Sequence, residues 1–144
     1  MLDKDFIKMK IEYIQRDLNR LEPMAKLTID KLAQDDFKYA ALKNFLMEII
    51  GRAIDINEHI IAEKGGEKLN APLQYRETFL CLKDLGILPE NFAQEIAKSA
   101  GFRNAIVHNY NNLDKYITYQ SVKDAITQYA RYCSYILNFI KTAN

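Results

Sequence analysis

The run of residues 101–110 concentrates side chains that are suited to phosphate chemistry. It contains Arg103, His108 and Tyr110, and Asn104 follows the arginine directly. A neutral imidazole can accept the proton of a ribose 2′-hydroxyl, and an imidazolium can protonate a leaving oxygen. A guanidinium binds phosphate through two hydrogen bonds and stabilises the charge that grows on it. Asn104 can donate to a phosphate or orient the histidine, and Tyr110 offers a hydroxyl for hydrogen bonding or modification.

The spacing of these residues limits how they can cooperate. Arg103 and His108 are five residues apart, so on a regular helix their side chains differ by about 140° around the axis. Arg103 shares a face with Val107 and Tyr110, whereas Asn104 and His108 share a neighbouring face. We therefore expect the pair to converge only if the helix ends near His108 or if a second copy of the chain supplies the other half. The alternative is a capped helix end with a structural arginine and histidine.

A second polar cluster follows one stripe of a predicted helix upstream. Glu48, Arg52, Asp55 and His59 are separated by steps of four, three and four residues. Asp55 can orient His59, Arg52 or Arg103, or the stripe can be a solvated face that carries ion pairs. A metal site of Glu48, Asp55 and His59 would lack a further ligand at suitable spacing. We therefore predict neither a metal nor a cofactor.

The elements that must position these groups are predicted to be helices. Three of the five Gly residues and the three Pro residues fall between or at the ends of segments whose apolar residues recur in steps of three and four. The last segment is apolar on so much of its circumference that we expect it at the centre or at a subunit interface. The sequence predicts an all-α, up-and-down bundle of about five helices in one domain over residues 1–144. In chain order, the predicted helices cover approximately residues 7–21, 36–64, 73–85, 89–108 and 115–142. The fourth begins at Pro89 and ends at a polar break at 109–114, and a further turn or two is predicted at 28–32.

Composition and charge exclude several classes of protein. The chain has 144 residues, 49% of them apolar, and a formal net charge of +1, which excludes a basic coat over the whole surface. Residues 103–144 carry five basic and two acidic side chains, a net charge of +3 that is compatible with a polyanionic partner. Cys81 and Cys133 are too few for a disulfide scaffold. Without an apolar run of about 18 residues we expect no membrane contact and a soluble, cytoplasmic protein.

The motif residues resemble the HEPN superfamily and, more closely, the HepT-type toxins of prokaryotic HEPN–nucleotidyltransferase pairs. The family signature is Arg, four residues, His, one residue, Tyr, and it reads here as Arg103, His108 and Tyr110. The fuller form of the motif matches residues 101–110 without a gap. Two further segments are similar to that family, namely residues 54–59 and residues 75–89.

This resemblance implies a metal-independent endoribonuclease that acts as the toxin of a type VII-like toxin–antitoxin pair. It implies a homodimer whose two motifs face one cleft, and a small nucleotidyltransferase antitoxin that transfers AMP to Tyr110. Arg103 and His108 correspond to the catalytic residues, and Asn104 and Asp55 to supporting residues. An adenylate on Tyr110 would compete with RNA phosphate for Arg103. The alternative is a non-catalytic helical module that binds a nucleotidyltransferase or its substrate.

Overall fold

A computed structural model describes residues 1–65, 74–108 and 114–143. This part of the chain forms six α-helices and contains no strand, which confirms the predicted all-α class; the short α2 adds to the five longer helices. None of its helices is long and apolar enough to cross a membrane. The helices are α1 (Lys4–Ala25), α2 (Ile29–Gln34), α3 (Asp36–Lys64), α4 (Tyr75–Asp84), α5 (Glu90–His108) and α6 (Lys115–Thr142).

The helices begin at side chains that cap their free N–H groups. Asp35 accepts a hydrogen bond from the backbone N–H of Lys38, and Asp114 caps α6 in the same way. Helix α1 begins earlier than its apolar stripe predicts, because Asp3 caps the N–H of Phe6. It also continues two residues past Pro23, which lies in the last turn.

A tight turn returns the chain from α4 into α5. Gly86 has φ +78°, a left-handed conformation that glycine adopts without a steric penalty. The N–H of Ile87 donates to the carbonyl of Leu82 at 2.8 Å, which closes the end of α4. Pro89 follows and precedes the first turn of α5. The turn thereby packs α5, which carries the motif residues, against α4.

Helix α3 is the centre of the bundle and contacts each of the other five described helices. Helix α6 packs against α1, α2, α3 and α5 and buries the rings of Tyr129 and Tyr132 completely. The broad apolar circumference of α6 is thus buried in part against four other described helices. Burial raises the pKa of both phenols, so they act here as neutral hydrogen-bonding groups.

A buried hydrogen-bond chain connects α6 to the start of α4. The Tyr132 hydroxyl donates to Oδ1 of Asn57 at 2.5 Å, and Nδ2 of Asn57 donates to Oγ1 of Thr78 at 3.1 Å. Thr78 in turn donates to the backbone carbonyl of Tyr75 at 2.7 Å. Satisfied buried polar groups are costly to break, so this chain holds the first turn of α4 in a defined place.

Candidate active site

The guanidinium of Arg103 is held between α3 and α4. On the α3 side, a methyl group added at Gly51 would lie 3.5 Å from Nε of Arg103 and 3.9 Å from its Nη2. On the α4 side, the guanidinium carbon lies 5.3 Å from the ring centroid of Tyr75, within cation–π range. Arg103 is only half-buried, which leaves one side of the group open to a ligand.

Arg103 has no ionic partner among the residues that the structure describes, and its Nε is buried without a hydrogen bond. A buried donor without an acceptor costs about 1–3 kcal/mol, and more when it is charged. An anion that reaches this group would therefore restore a missing interaction.

The polar stripe of α3 lies beside Arg103, as the sequence allowed. A cavity of about 200 Å³ brings the two together; its lining includes Met47, Glu48, Gly51, Arg52, Asp55 and Arg103. The ionic groups of the stripe, however, are paired with other residues. Arg52 bonds Asp17 of α1 and also Glu48 at 2.8 Å, and Asp55 bonds Nζ of Lys10 at 2.9 Å. Arg103 is consequently the cation of this cavity that carries no counter-charge in the described structure.

His59 does not join this cavity. Its Nε2 accepts a hydrogen bond from the backbone N–H of Asp3 at 2.9 Å, and its ring lies 5.3 Å from that of Phe6. The imidazole therefore ties the start of α1 to α3. The proposed orientation of His59 by Asp55 is absent from the described contacts, because Asp55 bonds Lys10 instead.

His108 is exposed at the last residue of α5, and the described residues give it neither a hydrogen bond nor an ion pair. Helix α5 ends at His108, which is one of the two conditions under which we expect the pair to converge. His108 lines neither the cavity that contains Arg103 nor the two neighbouring cavities that Asn104 and Val107 line. Tyr110 lies outside the described residues.

Asn104 lies on the exposed side of α5, one turn before His108. It lines a cavity of about 470 Å³ between α4 and α5, which also includes Tyr75 and Gly101. The two predicted supporting residues therefore line different cavities, and of these only the cavity that contains Asp55 is also lined by Arg103.

The two cysteines are buried, and burial raises the pKa of both thiols, to about 12 for Cys133. Neither supplies a thiolate nucleophile near neutral pH. Within the described ranges, no three side chains of the His, Cys, Asp or Glu type are grouped so that they could hold a metal ion.

Sequence reasoning missed the two residues that hold Arg103. The available signal for Gly51 was its position inside a 29-residue helix, where no turn requires glycine. The signal for Tyr75 was weaker, because an aromatic residue at the start of a helix has many uses.

Comparison with known proteins shows the family to which this chain belongs. The family model described as "HepT-like: Ribonuclease HepT-like" matches residues 14–136. A protein named tRNA nuclease HepT, from Aphanizomenon flos-aquae, is 30% identical over 138 residues, which cover 94% of this chain and 90% of that protein.

Solved structures share the fold. The tri-AMPylated HEPN toxin of Shewanella oneidensis, in complex with MNT antitoxin, superposes with a TM-score of 0.81 at 23% identity and covers 94% of this chain and 99% of that one. The cytosolic protein YutE of Bacillus subtilis, of unknown function, also has a TM-score of 0.81, at 18% identity, with 98% and 92% of the two chains covered.

Proposed function

Because the chain belongs to the HepT-like ribonuclease family, we propose that it is a metal-independent endoribonuclease in which Arg103 binds the scissile phosphate and His108 transfers protons. The observation that carries this proposal is the Arg103 guanidinium, which lies between Gly51 and Tyr75 without a counter-charge among the described residues. Such a group is ready to accept a phosphate.

We further propose that the active unit is a homodimer. A regular helix points Arg103 and His108 about 140° apart, and a second protomer can bring an imidazole to the guanidinium. Exposed apolar side chains surround this end of the bundle, where α3 begins, α5 ends and α6 begins. Val107 is 50% exposed, Ile117 61%, Tyr116 66% and Phe37 90%. Apolar side chains of this size favour burial against a partner, and a second copy would cover them.

In this arrangement Arg103 of one protomer and the partner's His108 act on the same phosphate. The imidazole accepts the proton of a ribose 2′-hydroxyl, whose oxygen attacks the adjacent phosphorus. The bond from phosphorus to the 5′-oxygen of the next nucleotide breaks, and that oxygen receives a proton from an imidazolium. The products are a 2′,3′-cyclic phosphate and a free 5′-hydroxyl. Arg103 stabilises the charge on the non-bridging oxygens, a role that requires no metal ion.

The proposed partner is a small nucleotidyltransferase antitoxin that adds AMP to Tyr110, two residues after His108, as in a type VII-like pair. An adenylate there would place negative charge beside the cleft and compete with RNA for Arg103. Both RNA and the AMP donor point to the cytoplasm as the site of action.

Modification of Tyr110 is tested by intact mass spectrometry after co-expression with the nucleotidyltransferase. We expect a gain of one or more adenylate masses in the wild-type chain and none in Tyr110→Phe. Persistent modification of that variant would show that another residue is the acceptor.

Cleavage is tested with purified protein and single-stranded RNA in EDTA. We expect Arg103→Ala and His108→Ala each to lose about 10²- to 10⁴-fold in rate, the usual effect of removing an oxyanion donor or an acid–base group. The control is Arg131→Ala, which removes a guanidinium that lies over Phe92 at the far end of α5. Cleavage that needs a metal ion, or that survives in both variants, would contradict the proposal. An inert protein that still binds the nucleotidyltransferase would favour the non-catalytic module.

A further inference from the structure

A groove lies between α4 and α5 and is lined by Tyr75, whose ring lies against the guanidinium of Arg103. The lining of its nearest cavity, of about 470 Å³, includes Gln74, Tyr75, Arg76, Ala100, Gly101 and Asn104. The floor on α5 consists of the small residues Ala100 and Gly101, so the space above them is open.

Gly101 is unexplained by packing inside the chain. It lies within α5, where glycine costs about 1 kcal/mol relative to alanine. A methyl group added there would meet no atom within 4 Å, in contrast to Gly51, whose added methyl group would contact Arg103. The missing side chain therefore leaves room for something outside the protomer.

The walls of the cavity carry the groups that bind a nucleotide. The ring of Tyr75 is 41% exposed, and an exposed ring provides a surface on which a base can stack. The amides of Gln74 and Asn104 can each donate and accept hydrogen bonds. Arg76 is exposed, and no ion pair joins it to any residue in the described ranges. It is therefore available to a phosphate.

The positive charge of the groove that is not neutralised by an ion pair lies near Tyr75. A second cavity, of about 670 Å³, extends the groove past Gly101 towards Lys83 and Lys98. Lys83 pairs with Asp84 at 2.9 Å, however, and Lys98 pairs with Glu95 at 3.1 Å. Arg76, which lines both cavities, and Arg103, which lies over the ring of Tyr75, form no ion pair within the described ranges.

We propose that this cavity is the subsite for the nucleotide that flanks the scissile phosphate of single-stranded RNA. Its base stacks on the exposed ring of Tyr75, its phosphate binds Arg76, and Asn104 and Gln74 contact its polar edge. The same ring lies against the guanidinium of Arg103, so a base stacked there adjoins a phosphate bound by that arginine. This inference rests on the proposed function, since it assigns a position to the substrate of the same site.

The test measures binding of fluorescently labelled single-stranded RNA by anisotropy in a His108→Ala background, which prevents cleavage. We expect Tyr75→Ala to raise the Kd about 5- to 100-fold, the range for loss of one stacked base, and Tyr75→Trp to restore binding. Arg76→Ala should weaken binding and reduce its salt dependence. Gly101→Leu should weaken binding by filling the cavity without touching Arg103.

The matched controls are Tyr135→Ala and Arg131→Ala, which remove a half-buried tyrosine and an arginine that contact each other on α6. Melting temperatures exclude loss of fold as a cause. Wild-type affinity in both Arg76→Ala and Gly101→Leu would overturn the subsite, as would loss of nucleotidyltransferase binding with RNA affinity intact. Cleavage by Arg103→Ala, measured separately, decides the proposed function, so the two failures are distinguishable.

Discussion

The space that Gly51 leaves next to Arg103 predicts that this glycine of α3 is a positioning residue. Glycine inside a helix loses more backbone entropy on folding than alanine does. The distance of 3.5 Å from an added methyl group to Nε is an ordinary van der Waals contact, so alanine fits at this position. A longer side chain would occupy the space of the guanidinium itself.

We expect Gly51→Ala to raise the free energy of unfolding by about 0.5–1 kcal/mol and to retain RNA cleavage. Gly51→Leu should displace Arg103 and lower kcat/KM for RNA while the chain remains folded. Urea denaturation and initial cleavage rates measure the two effects.

The control is Ala62→Leu, an exposed site on the same helix, which should leave cleavage unchanged. Wild-type cleavage by Gly51→Leu would show that Arg103 does not depend on this contact.

At the scale of elements, the sequence predicts the long helices well because their ends are encoded locally. Asp35, Gly65 and Asp114 cap α3 and α6 at the predicted bounds. The pairing of helices is not encoded in this way, because periodicity defines a buried face but not the helix that covers it. The contacts of Arg52 with Asp17 and of His59 with Asp3 join α3 to α1, and no spacing within α3 indicates either.

The link between Arg52 and Asp17 should contribute measurably to stability. The Asp17 side chain is 5% exposed and accepts from Arg52, with Arg20 at 3.6 Å. We expect Asp17→Ala to lower the free energy of unfolding by about 1.5–3 kcal/mol, because it removes the buried one of the two carboxylates that bond the half-buried guanidinium of Arg52 and leaves only Glu48.

Urea denaturation compares this variant with Glu22→Ala, which removes an exposed ion pair with Lys26 on the same helix. Loss of the exposed pair should lower the free energy of unfolding by less than about 1 kcal/mol. Equal losses in the two variants would refute the structural role of Asp17.

At the scale of the whole molecule, we propose that two protomers complete the site. On a regular helix Arg103 and His108 point about 140° apart, and the described cavity that contains Arg103 is not lined by His108. The exposed apolar end of the bundle supplies a surface on which a second copy can complete the arrangement. The assembly could not be derived from periodicity, because exposed residues such as Phe37 and Ile117 follow no pattern that distinguishes an interface from a solvent-facing turn.

Heterodimers that carry defined substitutions test this account most directly. Two copies with different affinity tags are co-expressed, and the mixed dimer is purified on both tags before RNA cleavage is measured in EDTA. A dimer of Arg103→Ala with His108→Ala keeps one Arg103 opposite one intact His108, so it should retain about half of the wild-type rate, since one of two equivalent sites survives. A dimer that carries both substitutions on one chain and none on the other should be as inactive as the single variants. The reverse result, with the first dimer inactive and the second half active, would show that each site lies within one chain and would contradict the account.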